Sequence, residues 1–456
     1  MAWMGKGGRA HWRQRAVAAM FDVLANPRFR RLFLAQLVAL LGTGLATVAL
    51  GLLAFDLAGD RAAMVLGTVF AIKMIAYVGV APVAAAFAER VSRRGLLVSL
   101  DILRGAIALA LPFVTEIWQV YVLIFVLQSA SAAFTPTFQA TIPDILPDED
   151  DYTKALSLSR LAYEIENLAS PTLAALLLAA TTYGALFVGT SIGFIASALL
   201  IVAVALPSPR PSAPRGVYDR TTRGARIYLA TPRLRGLLAL NVAAAMVGAM
   251  ALVNTVVLTR SLLGLGESAV AITMGAFGLG AMTAAMTLPR VLERWPDRPV
   301  MLAGASLSVL SLGGFGAFVA VQGLSWALLL ATWALIGLGY AAVTTPSGRL
   351  LKRSAHAIDR PALFAAQFAL SHACWLVAYP LSGWLMTEFG AAPAAITLAV
   401  CGFAGILGAA SLWPVSDPIA VTHRHEDLAP DHPHLKDGPE HRHRYVIDDL
   451  HRSWPS

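Results

Sequence analysis

Apolar residues in this chain run in long blocks separated by short polar connections. Twelve such blocks lie near 31–55, 63–87, 96–115, 118–142, 155–180, 184–206, 234–259, 267–289, 299–321, 324–347, 361–387 and 391–413. A helix needs about 20 apolar residues to cross roughly 30 Å of hydrocarbon. In that medium only a helix or a closed barrel satisfies its own backbone polar groups. No block alternates with the period of two that a membrane barrel requires. The expected fold is therefore an all-α membrane protein with twelve transmembrane helices.

The connections carry the charge, and they carry it unevenly. About thirty of the 35 Lys and Arg fall in the N-terminal segment, the even-numbered connections and the C-terminal tail. Among the odd-numbered connections only Arg61 and Arg260 contribute. Short loops rich in Lys and Arg resist translocation, which places the even connections and both termini on the cytoplasmic side of a bacterial inner membrane. A chain with 57% hydrophobic and 14% charged residues is no ordinary soluble domain. Its formal charge of +8 reflects loop chemistry, with no nucleic-acid partner implied. Cys374 and Cys401 sit in separate apolar blocks and are expected to be free thiols. Residues 1–30 form a basic segment without a small-residue cleavage site. From His11 to Arg31 that segment is expected to lie on the inner leaflet as an amphipathic helix.

Halfway along, the chain breaks at Pro207-Ser208-Pro209-Arg210-Pro211-Ser212 and continues through Arg215, Arg220, Arg223 and Arg226. Residues 207–233 thus read as a cytoplasmic linker between two six-helix units, 31–206 and 234–413, followed by a tail at 414–456. An echo supports the duplication. Glu89-Arg90-Val91-Ser92-Arg93-Arg94 and Glu293-Arg294-Trp295-Pro296-Asp297-Arg298 recur 204 residues apart, at the same place in each half. The first copy resembles the loop signature of the major facilitator superfamily, with Glu89 where Asp is usual and Ser92 where Gly is usual. That resemblance implies two pseudo-symmetric six-helix bundles that rock about a site between them. Glu89, Arg90, Arg93 and Arg94 are then expected in its gating charge network.

A closer resemblance covers residues 66–206. It rests on Lys73-Met74-Ile75-Ala76-Tyr77, Phe134-Thr135-Pro136-Thr137-Phe138-Gln139-Ala140-Thr141-Ile142-Pro143, and Ser157-Leu158-Ser159-Arg160-Leu161-Ala162-Tyr163-Glu164. With Gln367 to Trp375 in the second half, these stretches are similar to the nickel-resistance exporters near the drug:proton antiporter-3 group. The resemblance implies proton-coupled efflux of nickel, and of cobalt with it, by a chain functional as a monomer. An organic drug or siderophore-like substrate is the alternative, and a metal sensor that moves nothing is a second. No Gly-x-x-x-x-Gly-Lys-Ser/Thr loop and no catalytic constellation is found, so neither an enzyme nor a cofactor is expected.

An ionisable group near the bilayer centre costs several kcal/mol and is a functional candidate by default. Counting 1.5 Å per residue from the segment ends brings Lys73, Gln128, Glu166, Asn167 and His372 to one depth, near the midplane. Glu166 is the expected proton carrier, paired with Lys73. Asn241 and Asn254 are expected to line the path from the second half. Arg160 with Glu164, and Asp101 with Arg104, stand at helical pairing distance and nearer the cytoplasm, as ion pairs that lock bundle contacts. His372 and Cys374 are the intramembrane metal-ligand candidates. Two residues apart on a helix, they do not share a face.

Seven of the ten histidines lie in the tail: His423, His425, His432, His434, His441, His443 and His451. Six of them form His-x-His pairs. In an extended chain residues two apart point the same way, so each pair is expected to chelate one ion, with oxygen ligands added by Asp431, Asp437, Glu440, Asp448 and Asp449.

Overall fold

The computed structural model describes residues 21–58, 62–88, 91–178, 180–206, 216–418, 420–424 and 440–454. The chain is nearly all helix. The first bundle comprises α1 (Pro27–Ala58), α2 (Ala62–Ala88), α3 (Arg93–Ala110), α4 (Ile117–Ile145), α5 (Glu149–Leu178) and α6 (Tyr183–Val202). The second comprises α8 (Pro232–Val256), α9 (Glu267–Arg294), α10 (Asp297–Gln322), α11 (Trp326–Thr344), the short α12 (Ser347–Ser354), α13 (Arg360–Phe389) and α14 (Ala391–Leu412). Among the described residues, ten spans are long and apolar enough to cross a membrane. The apolar stretch of α2 is shorter, Thr68–Ala84, and α5 carries the charges Arg160, Glu164 and Glu166 within its 30 residues. Together these agree with twelve crossings.

Two boundaries differ from expectation. Helix α1 begins at Pro27, so Arg28, Arg30 and Arg31 belong to its first turns and not to a separate surface helix. Arg31 donates to the Ala203 carbonyl at the end of α6, 2.5 Å away. Residues 1–20 lie outside those described. The linker contains a helix, α7 (Val217–Ala230), whose first turn carries Asp219, while residues 207–215 lie outside the description.

Helix ends follow local chemistry. The Ser92 hydroxyl accepts from the Gly95 amide at 3.1 Å and starts α3. Asp148 accepts from the Asp150 and Asp151 amides, both at 3.0 Å, ahead of α5. Those amide bonds hold its carboxyl below the usual range. Helices α9 and α11 approach too closely for side chains. A Cβ on Gly280 would stand 1.9 Å from the Ala334 carbonyl oxygen, the small-residue contact by which membrane helices associate.

Between the bundles, α13 lies against α2 and α4, and α9 lies against α5. The tail is folded as well. Strands β1 (Ala420–Arg424) and β2 (Glu440–Arg444) pair antiparallel with His423 opposite His441. Beyond them, Tyr445 and Ile447 are buried in the core of the second bundle.

Candidate functional site

Midway along the bundle interface, α2, α4 and α13 bring together three of the expected path residues. The Lys73 ammonium sits 5.5 Å from the centre of the Tyr77 ring, one helical turn along α2. The Tyr77 hydroxyl donates to Gln128 Oε1 at 3.1 Å. Its ring lies 4.8 Å from both Phe368 and His372 of the opposing bundle. His372 Nδ1 is 2.7 Å from the Phe368 carbonyl oxygen. A carbonyl only accepts, so Nδ1 carries the proton and Nε2 keeps its lone pair. Tyr77 is the hub of this layer. In the sequence it stood out only as part of the Lys73–Tyr77 stretch, although its spacing of four from Lys73 was there to be used.

The other expected residues divide. Glu166 faces α1, where a Cβ on Gly44 would stand 2.7 Å from its Oε1. Lys73 thus packs on Tyr77, and Glu166 has α1 as a neighbour. The side chains of Glu164 and Asn167 lie outside those described. Arg160 reaches across the interface to within 5.0 Å of the Tyr340 ring centre on α11. Tyr340 continues into Trp375 and Tyr379, with centroids 6.1 and 5.0 Å apart in turn.

Asp101 and Arg104 form the expected ion pair, wholly inside the first bundle. Ser197 donates to Asp101 at 2.7 Å, and the guanidinium lies between the rings of Phe134 and Phe194, at 4.1 and 4.4 Å. Asn254 ties α8 to Ser382 of α13 at 2.8 Å. Asn241 is buried, and its Nδ2 has no hydrogen-bond partner among the described residues. Cys374 donates to the Leu370 carbonyl of its own helix at 3.3 Å and packs on the second bundle's core. Its thiol stays apart from His372, as the helical spacing required.

At the ends that carry the basic connections, ion pairs join the two bundles. Arg93 pairs with Asp144 at the end of α4, and Arg360 at the start of α13 reaches the same carboxylate at 2.7 Å. Arg349 of α12 contacts Asp297 at 3.0 Å and Glu149 of the first bundle at 2.9 Å. Arg353 holds the other oxygen of Asp297 at 3.0 Å. Lys352 donates to the Pro147 carbonyl at 2.8 Å. Arg94 is exposed, and Glu89 and Arg90 lie outside the described residues. Asp144, Glu149, Arg349 and Arg360 were missed by sequence reading. The 204-residue offset held a clue, because it carries Asp144 to the position beside Arg349.

The hairpin gathers histidines from distant parts of the tail. One ligand atom each from His423, His441 and His443 lies within 4.8 Å of the others. His451 Nε2 is 3.1 Å from His423 Nε2. His425, His432 and His434 lie outside the described residues. Asp448 stands between His451 Nδ1, at 2.9 Å, and His356 Nε2 of the α12–α13 turn, at 3.3 Å. Burial raises the Asp448 carboxyl, but these two hydrogen bonds outweigh it and hold the group well below the usual carboxylate range.

Two helical bundles with polar groups at mid-depth and ion pairs across one end have the layout of a multi-pass membrane transporter. Residues 32–261 and 236–443 match the Major Facilitator Superfamily, and the chain belongs to that family. Macrolide efflux protein A of Streptococcus pyogenes is 23% identical over 185 residues, 40% of this chain and 45% of that protein. The chain thus matches less than half the length of that curated relative. The human organic anion transporter MFSD10 has the same fold, with a TM-score of 0.71 at 13% identity over 84% of this chain and 98% of that one. A bacterial homologue of the iron transporter ferroportin, in an outward-facing state, gives 0.70 at 14% identity over 84% and 98%. The proton:xylose symporter XylE gives 0.65 at 14% identity over 84% and 95%. At these identities the likeness concerns the fold alone.

Proposed function

We propose that this chain exports a divalent metal cation, nickel first and cobalt with it, from the cytoplasm of a bacterial cell in exchange for protons. The observation that carries the reading is His372. Its Nδ1 is held by the Phe368 carbonyl, so its Nε2 is presented as a neutral donor in the layer where the bundles meet. Imidazole nitrogen suits nickel, cobalt and zinc. The Lys73 ammonium beside Tyr77 disfavours a second cation in the same layer, which suits exchange over co-transport. Glu166, lodged against α1, is the proton carrier of the reading. Alternating access follows from opening the cytoplasmic ion pairs while the opposite side closes. The distribution of Lys and Arg among the loops supports cytoplasmic termini in this reading, so that the tail histidines meet the metal before export.

A second reading, export of an organic molecule, draws on the aromatic row Tyr340, Trp375 and Tyr379 with Arg160 over its first ring. Uptake of nickel into inside-out vesicles under an imposed pH gradient separates the two. The metal reading expects gradient-driven uptake that falls at least tenfold in His372→Ala and loses its pH dependence in Glu166→Gln. No nickel uptake by the unaltered chain transfers the proposal to the organic substrate, and equal uptake by His372→Ala removes His372 as the transported metal's ligand. Point variants serve better than truncation, because Tyr445 and Ile447 of the tail are packed into the second bundle.

A further inference from the structure

His-x-His pairs read along the chain expect three separate chelates, but the hairpin arranges the rings differently. His441 and His443 do share a face of β2, with centroids 5.1 Å apart. His423 arrives from β1, directly opposite His441. His451 closes the group from beyond the strand and is 3% exposed.

The hydrogen bonds at the far side of each ring fix what faces inward. His423 Nδ1 is 3.1 Å from the Val421 carbonyl oxygen, and His443 Nδ1 is 2.8 Å from that of Arg444. His451 Nδ1 is 2.9 Å from the Asp448 carboxylate. All three partners accept, so each Nδ1 donates, and Nε2 is the nitrogen through which each ring, when neutral, can bind a cation. This is the outer support that metal-ligating imidazoles ordinarily have, a carbonyl or carboxylate on the second nitrogen. Two of those inward nitrogens, of His423 and His451, stand 3.1 Å apart. At that distance the two nitrogens can share one proton or one metal cation. Ligand bonds of about 2.0–2.1 Å at a tetrahedral angle put neighbouring nitrogens roughly 3.3 Å apart, close to the spacing found.

We propose that His423, His441, His443 and His451 together form one site for a single borderline divalent transition cation, with Asp448 as its positioning carboxylate, and that the bound ion clasps the tail to the cytoplasmic face of the second bundle. An all-imidazole donor set selects nickel, cobalt, zinc or copper over magnesium and calcium, which require oxygen. The clasp follows from what Asp448 and its neighbour touch. Asp448 also holds His356. Asp449 pairs at 2.7 Å with Arg223 of the linker helix, which is bidentate on Asp359 at 2.5 and 3.0 Å. The next residue, Arg360, reaches Asp144 of the first bundle. Metal at the tail therefore bears on the same α12–α13 turn that joins the two bundles. This inference does not depend on which species is transported.

The test loads the full-length chain in detergent with Ni2+ alone, removes excess by dialysis and counts retained metal. One ion per chain is expected, with retention lost in His451→Ala and in His443→Ala. The triple variant His425→Ala/His432→Ala/His434→Ala is expected to keep it. Asp448→Asn, which retains a hydrogen-bond acceptor, is expected to weaken binding about 10–100-fold. Amide exchange in Val217–Ala230 reports the clasp and should slow when Ni2+ binds. Several ions held equally tightly, or a triple variant as damaged as His451→Ala, overturns the single site in favour of independent His-x-His chelates. Unchanged exchange in the linker helix overturns the clasp. Metal retention is read without transport, so failure of nickel uptake in vesicles leaves these outcomes distinct.

Discussion

The two halves place the ion pairs at their basic-loop ends at equivalent positions but with the charges exchanged. In the first half the base stands at the head of a helix, Arg93, and the acid, Asp144, at the end of the following helix. In the second half, 204 residues on, the acid Asp297 heads the helix and the bases Arg349 and Arg353 follow α11. The exchange has a physical consequence. The first bundle turns acids, Asp144 and Glu149, toward the interface, and the second turns Arg360 and Arg349 toward them. Had both halves kept the same sign order, acids would have met acids across the gap, and like charges repel. Duplication preserved the position of the pair, and inversion of its sign lets each pair reach across to the other half.

The sharpest way to break the comparison is to remove the acid of the second half. Asp297 is 2% exposed and faces two guanidinium groups. Removing one partner of a buried ion pair costs about 3–5 kcal/mol, because the remaining charge is left desolvated. Asp297→Ala is thus expected to lower the thermal unfolding midpoint in detergent by several degrees. Asp144→Ala should cost less, since Arg93 and Arg360 can turn toward water at the bundle ends. A variant of Asp297 that melts with the unaltered chain would remove the second pair from the account.

A reversal tests the crossed sign itself. The double change Arg93→Asp/Asp144→Arg keeps an ion pair within the first half but sets a cation against Arg360. Couplings between such neighbours run about 0.5–3 kcal/mol, so labelling of a cysteine introduced at the cytoplasmic entrance, in a background lacking Cys374 and Cys401, is expected to rise about tenfold. Adding Arg360→Asp should return it toward the starting level. If the double variant labels like the parent, the crossed pair does not hold the cytoplasmic side shut.

Sequence reading saw the positions of these pairs without seeing their partners. The helices were legible because hydrocarbon leaves a long chain of apolar residues no other economical structure. The echo was legible because it is local in sequence. Who meets whom across the bundles was not, since approach depends on helix rotation. Depth along a helix can be counted, and Lys73, Gln128 and His372 do adjoin one another around Tyr77. Facing cannot be counted across helices, and Glu166 turned to α1 while Lys73 turned to Tyr77. The linker helix was hidden behind its prolines and arginines. In the tail the His-x-His repeat was read as local pairs, whereas β1 and β2 bring together residues about twenty apart, and strand pairing is not local.

The finest test of the comparison lies in the last residue of the echo, where the halves differ most quietly. Arg94 is exposed. Its counterpart Arg298 donates to the carbonyls of Trp413 at 2.9 Å and Ala410 at 3.1 Å, satisfying the open end of α14. A cation there also meets the negative end of the helix dipole. Arg298→Ala is expected to cost about 1 kcal/mol, the net worth of such hydrogen bonds. Arg94→Ala should stay within about 0.5 kcal/mol, as surface changes usually do. Unfolding midpoints of the two variants, measured side by side, decide it. Equal midpoints would mean that both arginines serve only to keep their loops in the cytoplasm. A lower midpoint for Arg298→Ala alone would mean that the second copy took on a structural duty at α14, beside the tail that leaves it.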